Sequence, residues 1–528
     1  MANTQSVGGG GGTAGGGEGA VSGPRREILI VLPGLLLALI VAMLDQTVVS
    51  TALPRIVGDL GGVTHLSWVV TAYVLASTVT TPLYGKLGDL YGRKRWLMIA
   101  IVIFLIGSAL SGLSHSMDQL IMFRALQGLG AGGLMVGVIA TIGDMVSPRE
   151  RGQYMGYMMA AMMLAMVAGP LVGGYITDDL SWRWIFYINM PVGGAALIYL
   201  FLTLHLPYKR VQHRIDYLGA GVLATVSTAV VLLTTWGGTE YRWGSPEIIG
   251  LGALAVVALG VFVFSQTRAS EPVLPLHVFR NRNFSVASAM SFLTGFAMLG
   301  ALTFLPLYQQ TVQGLSAVGS GLMLIPMMIG VTVTSLAGGI VMTRTGRYRA
   351  LPIIGSGVMS LAMYLLTHLG LNTGLPTSGL FFVVLGLGMG CLMQITSVIV
   401  QNSVQPRDIG VASSARTYFQ QMGGSIGVAM FGAVFSRRLT EAMTAQGSGA
   451  HLKVSGGQLN PVTVNHLPEP VKHDVLYAIA HAIDGVFWWA LPTAVLLFAL
   501  AWFIKEVPLR SSTPPAETPA ASEPEFAA

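Results

Sequence analysis

The sequence predicts an all-α polytopic membrane protein of fourteen spans with both chain ends on one side, and three observations predict it. The 528 residues are 53% hydrophobic and 10% charged, with a mean hydropathy of +0.66, whereas a soluble domain carries about 25% charged residues. Apolar runs of the length needed to cross a bilayer, about 20 residues, recur along nearly the whole chain. Of the 29 Lys and Arg, 20 fall in tails and links that an N-terminus-inside topology makes cytoplasmic, as the positive-inside rule requires.

The chain opens on a Gly-rich stretch, residues 1–26, expected as a disordered cytoplasmic tail rather than a cleavable signal peptide because it lacks an apolar core. Arg25 and Arg26 then hold the first span N-terminus-in. Spans are expected at 28–52, 66–84, 96–113, 118–142, 152–175, 184–205 and 216–235. The remaining seven are expected at 247–267, 285–309, 318–342, 350–370, 377–400, 410–435 and 484–504. One long external loop is expected at 436–483, with a short amphipathic piece around Val471 to Ile483, either a lid or a tolerated insertion. Residues 506–528 read as a disordered cytoplasmic tail. The net charge of +6 does not imply nucleic acid, because the basic residues sit in short links where they orient the protein. The single cysteine, Cys391, excludes intramolecular disulfides and cysteine-based metal sites.

The link after the second span is the first candidate for a working part: Gly85-Lys-Leu-Gly-Asp89-Leu-Tyr-Gly92-Arg93-Lys-Arg95. Gly85, Asp89 and Arg93 share a face if helix geometry continues. Gly85 would let a neighbouring backbone approach, and Asp89 could accept from a helix N-terminus or pair with an arginine. A plain topology-setting loop is the alternative. The pattern returns as Gly339-Ile-Val-Met-Thr343-Arg-Thr-Gly346-Arg347-Tyr-Arg349, with Thr343 where Asp89 stood. Two copies in register point to a duplicated transporter.

Charge inside a span is costly, so each intramembrane ionisable group is a candidate site. Asp45 lies deep in the first span and could take up a proton on one side and release it on the other; a hydrogen-bonded structural acid is the alternative. Arg124, early in the fourth span with Gln127 at i+3, cannot be neutralised and needs a partner such as Asp45, a carbonyl or an anion. The fifth span carries Ala165, Gly169, Pro170, Gly173 and Gly174, a small-residue groove with a bend, read as a seam where two halves meet and slide. In the thirteenth span Arg416, Gln420 and Gln421 form a second polar island, a candidate substrate or coupling contact.

These motifs resemble those of the major facilitator superfamily, specifically its fourteen-helix drug:proton antiporters, over about residues 27–505. Leu44–Pro54 is similar to the helix-1 signature, Gly85–Arg95 to the loop signature, Arg124–Gly132 to that of helix 4 and Gly169–Gly174 to the antiporter signature of helix 5. Trp182–Gly193 and Asp216–Gly219 resemble the segments leading into helices 6 and 7. The resemblance implies a six-helix bundle at 27–206, two inserted helices within 207–283, and a second six-helix bundle at 284–505. It also implies Asp45 as the proton-linked acid with Arg124 as modulator, a cytoplasmic gate at Gly85, Asp89, Gly92 and Arg93, and a hinge at Gly169, Pro170, Gly173 and Gly174. Ala165 replaces a glycine usual in helix 5, and Gln420 stands where the group often has arginine. The implied activity is export of lipophilic or cationic drugs in exchange for protons across the cytoplasmic membrane, by a monomer without cofactor or metal. A dedicated exporter of one natural product, lipid or siderophore is the alternative. A membrane-embedded enzyme is disfavoured, since no cluster of paired acids or metal ligands is visible.

Overall fold

The computed structural model describes residues 24–60, 66–146, 148–205, 216–238, 241–315, 317–445 and 471–508. The first eight helices are α1 (Pro24–Leu60), α2 (Leu66–Tyr91), α3 (Arg93–Gly112), α4 (Met117–Met145), α5 (Pro148–Asp179), α6 (Trp184–Tyr187), α7 (Asn189–Thr203) and α8 (Tyr217–Trp236). They are followed by α9 (Pro246–Arg268), α10 (Arg282–Thr311), α11 (Ala317–Leu322), α12 (Ile325–Thr345) and α13 (Ala350–Leu366). The last three are α14 (Leu375–Asn402), α15 (Ile409–Ala445) and α16 (Val471–Ala501). No strand occurs among the described residues, only an isolated bridge between Gly237 and Tyr241.

All fourteen predicted stretches are helical, α6 with α7 and α11 with α12 each forming one stretch. Eleven of them are long and apolar enough to cross a membrane, and α13 is apolar but shorter. α2 and α15 have the length, but Thr71, Ser77, Thr78 and Thr81 on one and Ser413, Ser414, Arg416 and Thr417 on the other dilute their apolar runs. Local chemistry sets several starts: the side chains of Ser116, Asp216, Ser245 and Asn281 accept first-turn amides of α4, α8, α9 and α10.

Three boundaries move from their predicted places. Helix geometry continues through the charged link to Tyr91, breaks at Gly92 with φ 95°, and resumes at Arg93. Gly346, the matching residue of the second copy, caps α12 at φ 68°; both angles suit glycine because it lacks a Cβ. The predicted external loop shrinks from both sides, since α15 runs to Ala445 and α16 begins at Val471, joining the amphipathic piece to the final span as one helix. Residues 446–470, 1–23 and 509–528 lie outside the described residues. The C-terminal tail does not begin at 506: the Glu506 carboxylate accepts from the amides of Tyr348 (2.8 Å) and Arg349 (3.1 Å), clasping the chain end onto the α12–α13 link.

Two six-helix units repeat the same contacts. In α1–α7, α4 packs on α2 and α3, and α1 packs on α5 and α7. In α10–α16, α14 packs on α12 and α13, and α10 packs on α15 and α16. Each unit has its own apolar core. The inserted pair α8 and α9 lies side by side, with α8 against both α2 and α15: Trp236 meets Trp68 edge-on at 5.4 Å, and Ser227 bonds Tyr418 at 3.0 Å.

Candidate functional site

The polar centre of the first unit is assembled from five helices, and its key side chains are closed to water, with Asp45 0% and Arg124 1% exposed. Arg124 Nη1 donates to Asp45 Oδ2 at 2.6 Å and to Gln127 Oε1 at 2.7 Å. Gln127 Nε2 donates to Asp45 Oδ1 at 2.8 Å, so both carboxylate oxygens are taken. Asn189, at the start of α7, donates to the same Oδ1 at 2.8 Å and to Ser108 Oγ of α3 at 3.0 Å. The guanidinium also lies 4.1 Å from the ring centroid of Tyr73 on α2 and donates through Nε to the Val69 carbonyl at 3.4 Å. Two opposite charges buried this deeply are tolerated because each is paired and hydrogen-bonded.

The chain places these groups through close helix contacts. A Cβ at Gly128 would collide with the Tyr73 carbonyl on α2, and one at Gly107 would sit 2.5 Å from the Gln127 amide nitrogen. The close approach of α2 and α3 to α4 therefore depends on glycine.

A second constellation holds the two units together at the end carrying the basic links. Asp89 accepts from the amides of Gly410 (3.1 Å) and Val411 (2.8 Å) in the first turn of α15, and pairs with Arg93. Those amides have no partner within their own helix, and the helix dipole favours a carboxylate there. Arg93 also reaches Asp144 of α4, at 2.5 Å. Gly85 lies against the Ser414 side chain and, at 2.7 Å for a built Cβ, the Gly410 carbonyl; Gly410 in turn leaves room for the Asp89 carboxylate. Asp89 lies beyond the apolar part of α2, and burial pushes its carboxyl up to about 6, with Arg93 and the Val411 amide pulling it back down.

A neutral counterpart joins the units on the other side. α5 and α12 meet at Gly152 and Gly339, where a Cβ on Gly339 would stand 2.6 Å from the Gly152 carbonyl. Gln394 of α14 donates to that same Gly152 carbonyl at 2.5 Å. Gly339 holds the place in its motif that Gly85 holds in the first copy.

On one face of the α5 groove a Cβ at Gly169 would collide with the Thr47 side chain of α1 in the same unit. α5 also packs against α11 and α12 of the other unit, at Gly152 and at Gly156 against Leu336 among other places. The side chain of Pro170 lies outside the described residues, as do the surroundings of Gly174, and Gly173 is buried. In the second unit Arg416 is 4% exposed and donates to the Met393 carbonyl at 2.9 Å and to Thr396 Oγ1 at 3.3 Å. It is remote in contact from the Asp45 cluster. Gln420 offers its backbone, not its side chain, to Gly295, and Gln421 Oε1 is buried without a partner.

Sequence reasoning had no role for Asn189, Asp144, Gly152 or Gln394. Asn189 and Gln394 carried a usable signal, a polar amide inside an apolar run. Asp144 and Gly152 flank a charged link and look ordinary there.

A family model described as Major Facilitator Superfamily matches residues 35–428. The chain belongs to the major facilitator superfamily. An uncharacterized transporter of this superfamily from Mycobacterium tuberculosis is 42% identical over 91% of this chain and 70% of its own length. Multidrug resistance protein 3 of Bacillus subtilis is 33% identical, covering 91% of this chain and 95% of its own. The solved structure of the proton:xylose symporter XylE superposes with a TM-score of 0.62 at 14% identity, over 92% of this chain and 97% of that one. At that identity the likeness shows the fold. This major facilitator is thus a multi-pass membrane transporter with efflux proteins among its relatives.

Proposed function

We propose that this protein exports lipophilic compounds from the cell in exchange for protons, by alternating access between its two six-helix units. In this reading all fourteen helical stretches cross the cell membrane, both termini are cytoplasmic, and the basic end with its two latches is the cytoplasmic gate in its closed state. The observation that carries it is the sealed Asp45–Arg124 pair, with Gln127 and Asn189 on the same carboxylate. An acid held this way is stable when ionised and paired; once protonated it frees the guanidinium and biases the bundle toward another arrangement. The energy is available from the proton gradient, since a membrane potential supplies about 2.3 kcal/mol per charge per 100 mV. The relatives named as multidrug proteins support export of drugs. The cargo expected from sequence is lipophilic or cationic, and in this state both oxygens of Asp45 are occupied. The protein would act as a monomer and without cofactor.

The test is efflux of a fluorescent lipophilic dye from loaded cells, with and without a protonophore, for the wild type and Asp45→Asn. Fast, protonophore-sensitive efflux that Asp45→Asn abolishes is the expected result. Efflux that persists in Asp45→Asn would remove the proton role from this carboxylate. A wild type indistinguishable from empty cells across a broad dye panel would favour a dedicated exporter of one compound.

A further inference from the structure

The intramembrane charges of the two units are not balanced. In the first, Arg124 is cancelled by Asp45. In the second, Arg416 is equally buried, yet its partners are a carbonyl and a hydroxyl, and no carboxylate pairs with it among the described residues. Arginine keeps its proton, so burial without a counter-charge leaves a full positive charge answered only by dipoles. A donor on the same stretch of α14 is also unspent: the Ser397 hydroxyl is buried without a partner.

The position matters as much as the charge. The carbonyl that Arg416 holds belongs to Met393, whose side chain packs into the core of the opposite unit. The next residue, Gln394, donates across to Gly152 in the neutral latch. Arg416 therefore lies beside the line along which the units part at the basic end. Opening there would break the Gln394 bond and bring water and solutes to the guanidinium.

We propose that Arg416 is a carboxylate-binding subsite: it receives the anionic pole of an amphiphilic cargo when the units separate at the basic end, with Ser397 as a neighbouring hydroxyl donor. This rests on the transport reading above and narrows it, making the preferred cargo an acidic or zwitterionic amphiphile. The guanidinium fork suits a carboxylate because its parallel N–H groups match the two oxygens.

The test uses the full-length protein in phosphatidylcholine nanodiscs, in chloride-free buffer and without a proton gradient. Thermal unfolding is followed with octanoate, octanamide, octylammonium or potassium chloride added. Octanoate should raise the midpoint of the wild type, and the other three should not. Arg416→Gln should need about 10- to 100-fold more octanoate for the same shift, with Arg416→Lys between the two. Equal shifts from octanoate and octanamide, a shift from chloride alone, or an unchanged octanoate response in Arg416→Gln would each overturn the proposal. Should Arg416→Gln fail to fold, the acid–amide contrast in the wild type and the weaker response of Arg416→Lys decide the matter. Because no gradient is present, failure of proton coupling at Asp45 would leave this result untouched, and the reverse holds for the efflux assay.

Discussion

α4 and α14 carry nearly the same run, Gly128-Leu-Gly130-Ala-Gly132 and Gly386-Leu-Gly388-Met-Gly390. Each uses it identically. The outer two glycines admit the backbone of the preceding even-numbered neighbour, Tyr73 and Ser77 of α2 or Met327 and Val331 of α12, and the middle one admits α3 or α13. In that register Arg124 corresponds to Phe382 and Gln127 to Leu385, all four buried. The same scaffold thus encloses an ion pair in one unit and hydrocarbon in the other. Backbone contact through glycine is a shared requirement of packing, whereas the buried ion pair occupies this register in one unit only, and the buried charge of the other unit, Arg416, sits on α15. The latches differ in the same sense. Asp89 closes one with a charged acceptor at a helix start, and Gln394 with Gly152 and Gly339 closes the other with a single neutral bond over a steric fit.

The comparison breaks most visibly at the ion pair. Arg124→Ala strands the Asp45 carboxylate and should cost about 3–5 kcal/mol, read as a large fall in unfolding midpoint. Asp45→Asn combined with Arg124→Gln should recover much of that stability while restoring no protonophore-sensitive efflux. At the matching apolar position, Phe382→Leu should cost about 1–3 kcal/mol and leave coupling intact. Loss of coupling in Phe382→Leu would mean that the two units are not divided as described.

The glycines test the shared part. Gly132→Ala and Gly390→Ala should each destabilise by about 1–3 kcal/mol, to similar extents, because each forces backbone away from backbone. A strongly unequal pair in thermal unfolding would show that the repeat is one of sequence and not of packing.

The latches are read through the rate of opening. Ser414→Cys in a Cys391→Ser background reports opening at the basic end through its rate of maleimide labelling. Asp89→Asn, which removes a charged acceptor worth about 1.5–3 kcal/mol, should raise that rate about tenfold or more. Gln394→Ala removes a neutral bond worth about 0.5–1.5 kcal/mol, and a rise of only a few-fold is expected. The reverse order would make the neutral side the stronger closure.

Asp45 and Arg124 were conspicuous in the sequence because charge in an apolar run has few innocent explanations. Asn189 carried a fainter signal, an uncharged amide in an apolar run, and only its 2.8 Å contact with a carboxylate 144 positions away gives it a role. Gly169 was half legible for a related reason: a small-residue ladder announces close contact but not with which helix, and the Cβ direction of Gly169 faces α1 of the same unit while α5 also packs on α11 and α12 of the other. The Glu506 clasp was invisible, because its partners are amides of a link more than 150 residues earlier, at 157 and 158 positions' distance.

What the sequence determined by itself was everything governed by local composition: which stretches are helical and apolar, which end of the bundle is basic, where the duplication lies, and which charges need an answer. Tertiary structure alone decided which groups supply the answer. Asp45 meets Arg124 across 79 residues, Asp89 meets α15 across more than 320, and Arg416 meets no acid among the described residues. The physical reason is that hydropathy and helix geometry act over a few residues, whereas desolvation and pairing depend on whatever packing brings within 3 Å or so.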